Sequence, residues 1–278
     1  MDFLDLYALA ALTVLCIVTV LWAVSVAVRD ASIIDVFWGS LFVAIAWILL
    51  AFSGVGTAGK VLPLVFMVTA WGLRLSFHLG ARNFGEGEDR RYALWRAHGG
   101  PRWWIKTYYR IYLLQGAIAL VVATPIVAVF YEPDFRIFNA VGVALWLVGT
   151  GIESIADVQL ARFRGTPGTT DRVLSTGLWR YSRHPNYFGD ALQWWGLALF
   201  ALTPSTWWSP VGALAMTLVF AYVSTGVIER GLKKRRPDYA RYADATSGLV
   251  PFLPQPGAGT HDEPRTMDGR PSTTGRTD

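Results

Sequence analysis

Apolar stretches of about twenty residues recur along this chain, and nothing constrains its fold more strongly. Seven can be drawn, at roughly 4–28, 33–53, 61–81, 111–131, 137–156, 187–204 and 208–228. Coiled into a helix, a stretch of that length spans the hydrocarbon core of a bilayer. Inside a bilayer every backbone N–H and C=O needs an internal partner, so such segments read as helices. The expected fold is all-α: a polytopic membrane protein with seven transmembrane helices. Hydrophobic residues make up 53% of the 278 positions and charged residues only 16%, too few to coat two soluble domains. Thirteen tryptophans fit the same class, because indole favours the membrane–water interface. The pairs at 103–104, 194–195 and 207–208 are read as such anchors. The first segment lacks a basic leader and is too long for a signal peptide.

Charge sets the expected orientation. The loop 82–110 carries Arg82, Arg90, Arg91, Arg96, Arg102, Lys106 and Arg110. The connection near 162–183 carries Arg162, Arg164, Arg172, Arg180 and Arg183, and the tail after 228 holds nine Lys or Arg. The opposite side has only Lys60 and Arg136. Positive charge stays in the cytoplasm, so the chain is expected N-out and C-in. This one-sidedness also accounts for the net charge of +5 and argues against a nucleic-acid partner. Residues 1–253 are expected to form a single membrane-embedded domain. Residues 254–278, rich in Pro, Gly, Thr, Asp and Arg, are expected to be a disordered cytoplasmic tail.

The densest chemistry lies in 177–190, GLWRYSRHPNYFGD, at the mouth of the sixth segment. Arg180, Tyr181, Arg183, His184, Asn186, Tyr187 and Asp190 crowd together there. Polar groups at that depth are expensive and usually kept for function. Arginine forks bind phosphates, while Asn and Asp suit ribose hydroxyls or an amide. A large anionic cofactor on the cytoplasmic side is the expectation. Upstream, Glu153, Asp157 and Arg164 share one face of the fifth helix, as Asn186 and Asp190 share one face of the sixth. The two stripes are either opposing walls of one pocket or structural ion pairs. GTPGT (165–169) is no P-loop, and no GxGxxG is present, so a nucleotide would be held by membrane helices and loops. The single Cys16 and the scattered His78, His98, His184 and His261 give no metal site.

In the N-terminal half, Asp35 is either a helix N-cap or a proton donor. Arg74 and His78 lie four apart on one face, and His78 is either a core residue or a catalyst. The motif GEGEDRRYALWRAHGG (85–100) covers the adenine end of a cofactor or is a solvated helix face.

Three blocks carry a family resemblance: ESIADVQLARFR (153–164), TDRVLSTGLWRYSRHPNYFGD (170–190) and PDYARYADATSGLVPFLP (237–254). DVFWGS (35–40) and WGLRLSFHL (71–79) support them more weakly. Together they resemble the steroid 5-alpha-reductase superfamily, and within it the bacterial branch catalogued as DUF1295. The resemblance implies seven helices, NADPH bound from the cytoplasmic side of a bacterial inner membrane, and reduction of a C=C bond conjugated to a carbonyl. The substrate would be a lipid or steroid-like molecule entering from the bilayer. Asp157, Arg164 and Arg172 match an acid and two arginines that hold the cofactor, and Asn186 and Asp190 match the Asn-containing block. Tyr242 matches a tyrosine closing over the cofactor, and Lys234 a basic phosphate contact. The family polarises the carbonyl with a Gln–Glu pair and a Tyr. Here Asp35 is nearest to that Glu, Ile34 replaces the Gln, and Trp71 stands at the Tyr position. Trp cannot act as an acid, which leaves Asp35, Tyr92 and His78 as catalytic candidates.

RHPNYFG also resembles isoprenylcysteine and phospholipid methyltransferases. The rival enzyme is therefore an S-adenosylmethionine-dependent membrane methyltransferase, in which Glu229 would anchor the donor's amine. A non-catalytic membrane protein is the third reading.

Overall fold

The computed structural model describes residues 1–57, 59–83, 85, 87–169, 172–223, 229–235 and 239–254. The tail from 255 onward and the side chain of Lys234 lie outside the described residues. The described secondary structure is helical, with no strand among the described residues. The chain packs as two compact units, one of residues 1–151 and 189–220, the other of 152–188 and 221–278.

The first unit opens with α1 (Phe3–Val28), capped by the reciprocal Asp2 and Asp5 side chains. Its buried residues Leu6, Ala10, Val14, Val18 and Leu21 form one stripe. Its outward face is apolar as well, with Leu4, Leu12 and Val20 exposed. A helix greasy on both faces belongs in lipid. Next come α2 (Ile33–Val36), α3 (Trp38–Phe52) and α4 (Val61–Asn83). One continuous helix over 33–53 was expected; Phe37, at φ −91° and ψ 5°, breaks it in two. At Gly39 and Gly72, α3 and α4 approach backbone to backbone, and a Cβ on either would strike the other helix. Ser40 and Ser76 join their hydroxyls one turn on, at 2.8 Å.

The polar loop expected over 82–110 contains α5 (Arg90–Gly99) and α6 (Trp103–Thr107). A π-helical stretch, Tyr108–Leu113, leads into α7 (Leu114–Val122). α7 bends by 45° into α8 (Thr124–Tyr131), where Pro125 in the first turn lacks an N–H to continue the ladder. α9 (Asn139–Gly165) runs nine residues past its expected end at 156, and α10 covers Pro185–Ala201. In the first unit these two helices also meet through glycine, Gly149 against Gly189 and Gly196 against Gly142. The core there is aromatic: Trp71, Trp194 and Phe42 are buried, and the two indoles lie edge to face at 5.3 Å. α11 (Pro210–Tyr222) completes the unit.

Three helices, α1, α4 and α9, are long and apolar enough to cross a membrane, or four if bent α7–α8 is one span. The other expected spans contain helices of 15 residues in α3, 17 in α10 and 13 in α11.

The second unit contains the end of α9, a 3₁₀ turn at Gly177–Arg180, the first turn of α10, α12 (Glu229–Arg235) and α13 (Tyr239–Ala245). Gly177, at φ +61°, sits against the Gln159 side chain, so neither the conformation nor the space admits a Cβ.

Candidate functional site

Two clusters of polar side chains stand out, one in each unit. The first gathers around Asp35 on α2. Tyr92 of α5 donates its hydroxyl to Asp35 Oδ1 at 2.7 Å. Gln115 of α7 donates its amide to the same oxygen at 3.1 Å and reaches the Tyr92 hydroxyl at 3.4 Å. Arg91 Nη2 meets Asp35 Oδ2 at 3.1 Å. Tyr92 is 4% exposed, whereas the Asp35 side chain keeps 26% of its surface open. Burial, and then the negative charge of Asp35, pushes the Tyr92 phenol well above its usual pKa. It therefore stays protonated and remains a donor throughout the neutral range.

Residues distant in sequence meet here for local reasons. The Asp89 side chain caps α5 by accepting from the Arg91 amide, which orients the first turn with Tyr92. The π-helical stretch changes the register entering α7. Tyr112 and Gln115 then both reach the 31–35 segment, Tyr112 through a 3.2 Å bond to the Ala31 carbonyl.

Of the three catalytic candidates, the structure brings Asp35 and Tyr92 together. His78 lies half-buried on α4. Trp71 belongs to the aromatic core. Gln115 was missed by sequence reasoning. Its signal was a lone amide in the apolar run from Leu113 to Ala123.

The second cluster is built on the 177–190 block and the chain's C-terminal segment. Asn186 Nδ2 donates to Asp157 Oδ1 at 3.2 Å, so the polar stripes of α9 and α10 meet in this pair. Glu153 and Asp157 are buried, while Arg164, Arg172 and Arg180 are exposed and Tyr181 is 39% exposed. Asp190, one turn beyond Asn186, is buried within the first unit.

Other conspicuous side chains hold the block in place. Tyr242 donates to the Trp179 carbonyl at 2.6 Å. The Ser182 hydroxyl lies 3.1 Å from the Gly248 carbonyl and 2.9 Å from that of Leu249. The Arg183 amide donates to the Ser247 carbonyl at 2.8 Å, and the Phe252 amide to that of Tyr181 at 2.9 Å. Residues 242–252 are thereby strapped along residues 179–183. Glu229 Oε1 is ion-paired with Arg183 Nε at 3.1 Å and lies 3.3 Å from His184 Nε2. His184 stacks on Tyr187, the rings 8° from parallel. Burial first, then the charge of Arg183, lowers the His184 pKa against the opposing pull of Glu229.

No group of three His, Cys, Asp or Glu side chains suited to a metal ion occurs among the described residues. The donor set of the second cluster fits a phosphorylated cofactor. Three exposed guanidinium groups stand in the same unit as a half-buried carboxylate–amide pair that can meet hydroxyl or amide groups.

Comparison with known proteins adds ancestry. A family described as a protein of unknown function, DUF1295, matches residues 21–246. An uncharacterised protein of Schizosaccharomyces pombe is 27% identical over 266 residues, covering 84% of this chain and 76% of its own. Mouse 3-oxo-5-alpha-steroid 4-dehydrogenase 2 is 30% identical over 115 residues, 41% of this chain and 42% of the mouse protein. The very-long-chain enoyl-CoA reductase of Dictyostelium discoideum is 26% identical over 113 residues, 40% of this chain and 35% of the relative. The chain thus spans less than half the length of these two enzymes. No solved structure matches it.

Proposed function

The chain belongs to the DUF1295 family, and on that premise we propose that it is a membrane reductase using NADPH to saturate a carbon–carbon double bond conjugated to a carbonyl in a lipid. The observation that carries this reading is the Asp35–Tyr92–Gln115 cluster. Reduction of an enone places negative charge on the carbonyl oxygen, which needs a preorganised donor. Tyr92 carries the hydroxyl proton of the cluster, and Gln115 adds amide donors. Asp35 accepts from Tyr92, Gln115 and Arg91, so it holds the phenol in place, and Tyr92 acts as the acid when a substrate oxygen takes the place of Asp35 as acceptor of its proton. Among the candidates Asp35, Tyr92 and His78, the proposed donor is therefore Tyr92. Two similar enzymes are named for redox chemistry beside a carbonyl, on a 3-oxo steroid and on an enoyl thioester.

Arg164, Arg172 and Arg180 would hold the phosphates of NADPH, and Asp157 with Asn186 would meet its ribose or amide groups. When bound, NADPH supplies the hydride. His184 and Tyr242 act by keeping the 179–183 stretch in place for Arg180. The chain is proposed to span the bilayer seven times, N-out and C-in, with the cofactor side facing the cytoplasm and the substrate entering from the lipid. A C-terminal reporter active only in the cytoplasm should therefore signal, and silence on an inserted fusion would reverse the orientation.

Against the methyltransferase, the Glu229 carboxylate is already engaged by Arg183 and His184. S-adenosylmethionine also carries no phosphate for exposed arginines to neutralise. Protein purified in mild detergent should gain thermal stability from NADPH and none from S-adenosylmethionine. The opposite pattern would replace the reductase with the methyltransferase.

A further inference from the structure

The acids and bases of residues 82–110 are put to different uses. Glu88 Oε1 accepts from the Ala31 amide at 2.9 Å, and Glu88 Oε2 pairs with Arg96 at 2.8 Å. Asp89 Oδ1 accepts from the Arg91 amide at 2.8 Å and from its Nε at 3.0 Å. These carboxylates are spent within the motif. Arg90, Arg102 and Arg110 are exposed, and no carboxylate among the described residues pairs with them. Lys106, also exposed, donates to the Gly99 carbonyl at 2.8 Å and so ties α6 to the end of α5. Among these cations stand Leu94, Trp95, Ile105 and Tyr109, each more than half exposed. Ile105 and Tyr109 lie four apart, as do Arg102, Lys106 and Arg110, so an apolar stripe runs beside a basic one.

Contacts with α1 set the depth of this surface. The Trp22 indole N–H donates to the Trp104 carbonyl at 2.9 Å, and the Thr19 and Tyr108 hydroxyls meet at 2.9 Å. At a rise of about 1.5 Å per residue, Trp22 and Thr19 lie about 9 and about 14 Å before Val28, the last residue of α1. α1 is apolar enough to cross a membrane, and the exposed Arg29 follows it. α6 therefore packs against α1 below the level at which that helix leaves the bilayer. A soluble protein would have to reach beneath the headgroups to cover Ile105 and Tyr109, where acyl chains lie in any case. Arginine and lysine stems run along such a surface and lift their charges toward the phosphates.

We propose that the basic and aromatic face of α5 and α6 docks on the headgroups of anionic phospholipids in the leaflet where α1 ends. Trp95, Ile105 and Tyr109 seat at the boundary of the acyl chains, and Arg90, Arg102 and Arg110 meet the headgroup phosphates. Attraction of this kind grows with the apolar area buried and with the anionic charge of the leaflet. α5 also carries Tyr92, so the lipid contact and the Asp35 cluster share one short helix.

The test is hydrogen exchange of the backbone amides in 90–110, with the full chain in nanodiscs of phosphatidylcholine alone or of phosphatidylcholine mixed with phosphatidylglycerol. In the parent protein the mixed membrane should slow exchange there roughly tenfold or more. The triple variant Arg90→Gln, Arg102→Gln, Arg110→Gln should lose that difference while α1 and α4 exchange as in the parent. If the triple variant fails to insert, salt decides in the parent, where the difference should shrink as salt is raised. Equal exchange in the two membranes overturns the proposal, as does a lipid effect undiminished by the triple substitution or by salt. Protection brought by NADPH in the neutral membrane, and not by phosphatidylglycerol, also overturns it and gives these arginines to the cofactor.

Discussion

The Asp35 cluster and the 177–190 block are built on opposite plans. Around Asp35, side chains from α2, α5 and α7 bond to one another, although 57 residues separate Asp35 from Tyr92 and 80 separate it from Gln115. In the block, crowded polar residues come from one short stretch; Ser182 and Arg183 bond to backbone carbonyls of the C-terminal strap, and Tyr242 of the strap bonds back to the Trp179 carbonyl. Side chains bonded only to each other can exchange a partner for a substrate without loosening the fold. Side chains bonded to backbone cannot. The quieter cluster is therefore the better candidate for chemistry. The conspicuous block and the segments around it divide into a scaffold (Ser182, Arg183, His184, Tyr242) and an exposed set (Arg164, Arg172, Arg180) suited to a ligand.

The largest expected effect is at Tyr92. Tyr92→Phe removes the proton donor and should lower turnover of an enone by roughly 100-fold or more, typical of losing general-acid help. His78→Ala, on α4, should leave turnover within a few-fold. The reverse ranking would move the acid to α4. Next come the exposed arginines. Arg172→Ala and Arg180→Ala should each weaken NADPH binding by about tenfold or more, the scale of a lost hydrogen bond to a charged group. Binding to the parent protein should weaken as salt is raised, and salt-independent affinity would rule out phosphate contacts by these residues. A smaller effect belongs to the scaffold. Tyr242→Phe should cost about 1 kcal/mol of stability and leave NADPH affinity in the folded fraction unchanged. Lost affinity without lost stability would return Tyr242 to the cofactor.

The smallest effect is a pH dependence in the second unit. The native pKa of His184 is depressed, so below about pH 6.5 the unfolded chain binds more protons there than the folded one. Stability then falls on acidification through that window and levels off below the native pKa. Thermal melts between neutral and mildly acidic pH should show this slope, and His184→Gln should flatten it. An equal slope in the variant assigns the effect to another group.

Much of the helical layout was legible because it follows from burial of backbone in lipid. α1 and α4 fall close to the apolar segments drawn from sequence. The break at Phe37 was not legible, since a single change of dihedral carries no compositional mark. Nor was the π-helical stretch in YYRIYL, which has neither Gly nor Pro to announce it, and with it went the placement of Gln115. The pairing of Asp157 with Asn186 was legible as two helical stripes, because a four-residue spacing fixes a face. The division of the block into scaffold and exposed groups was not. An arginine that bonds a carbonyl and one that faces solvent look alike in a motif.

The central claim is a division of labour: proton chemistry at Tyr92, cofactor capture at the arginines. NADPH affinity and enone turnover at saturating NADPH, measured side by side in Tyr92→Phe and Arg172→Ala, test it most directly. Tyr92→Phe is expected to bind NADPH normally and lose turnover, while Arg172→Ala binds weakly and keeps most of its turnover once saturated. Weak binding in Tyr92→Phe together with normal binding in Arg172→Ala would contradict it.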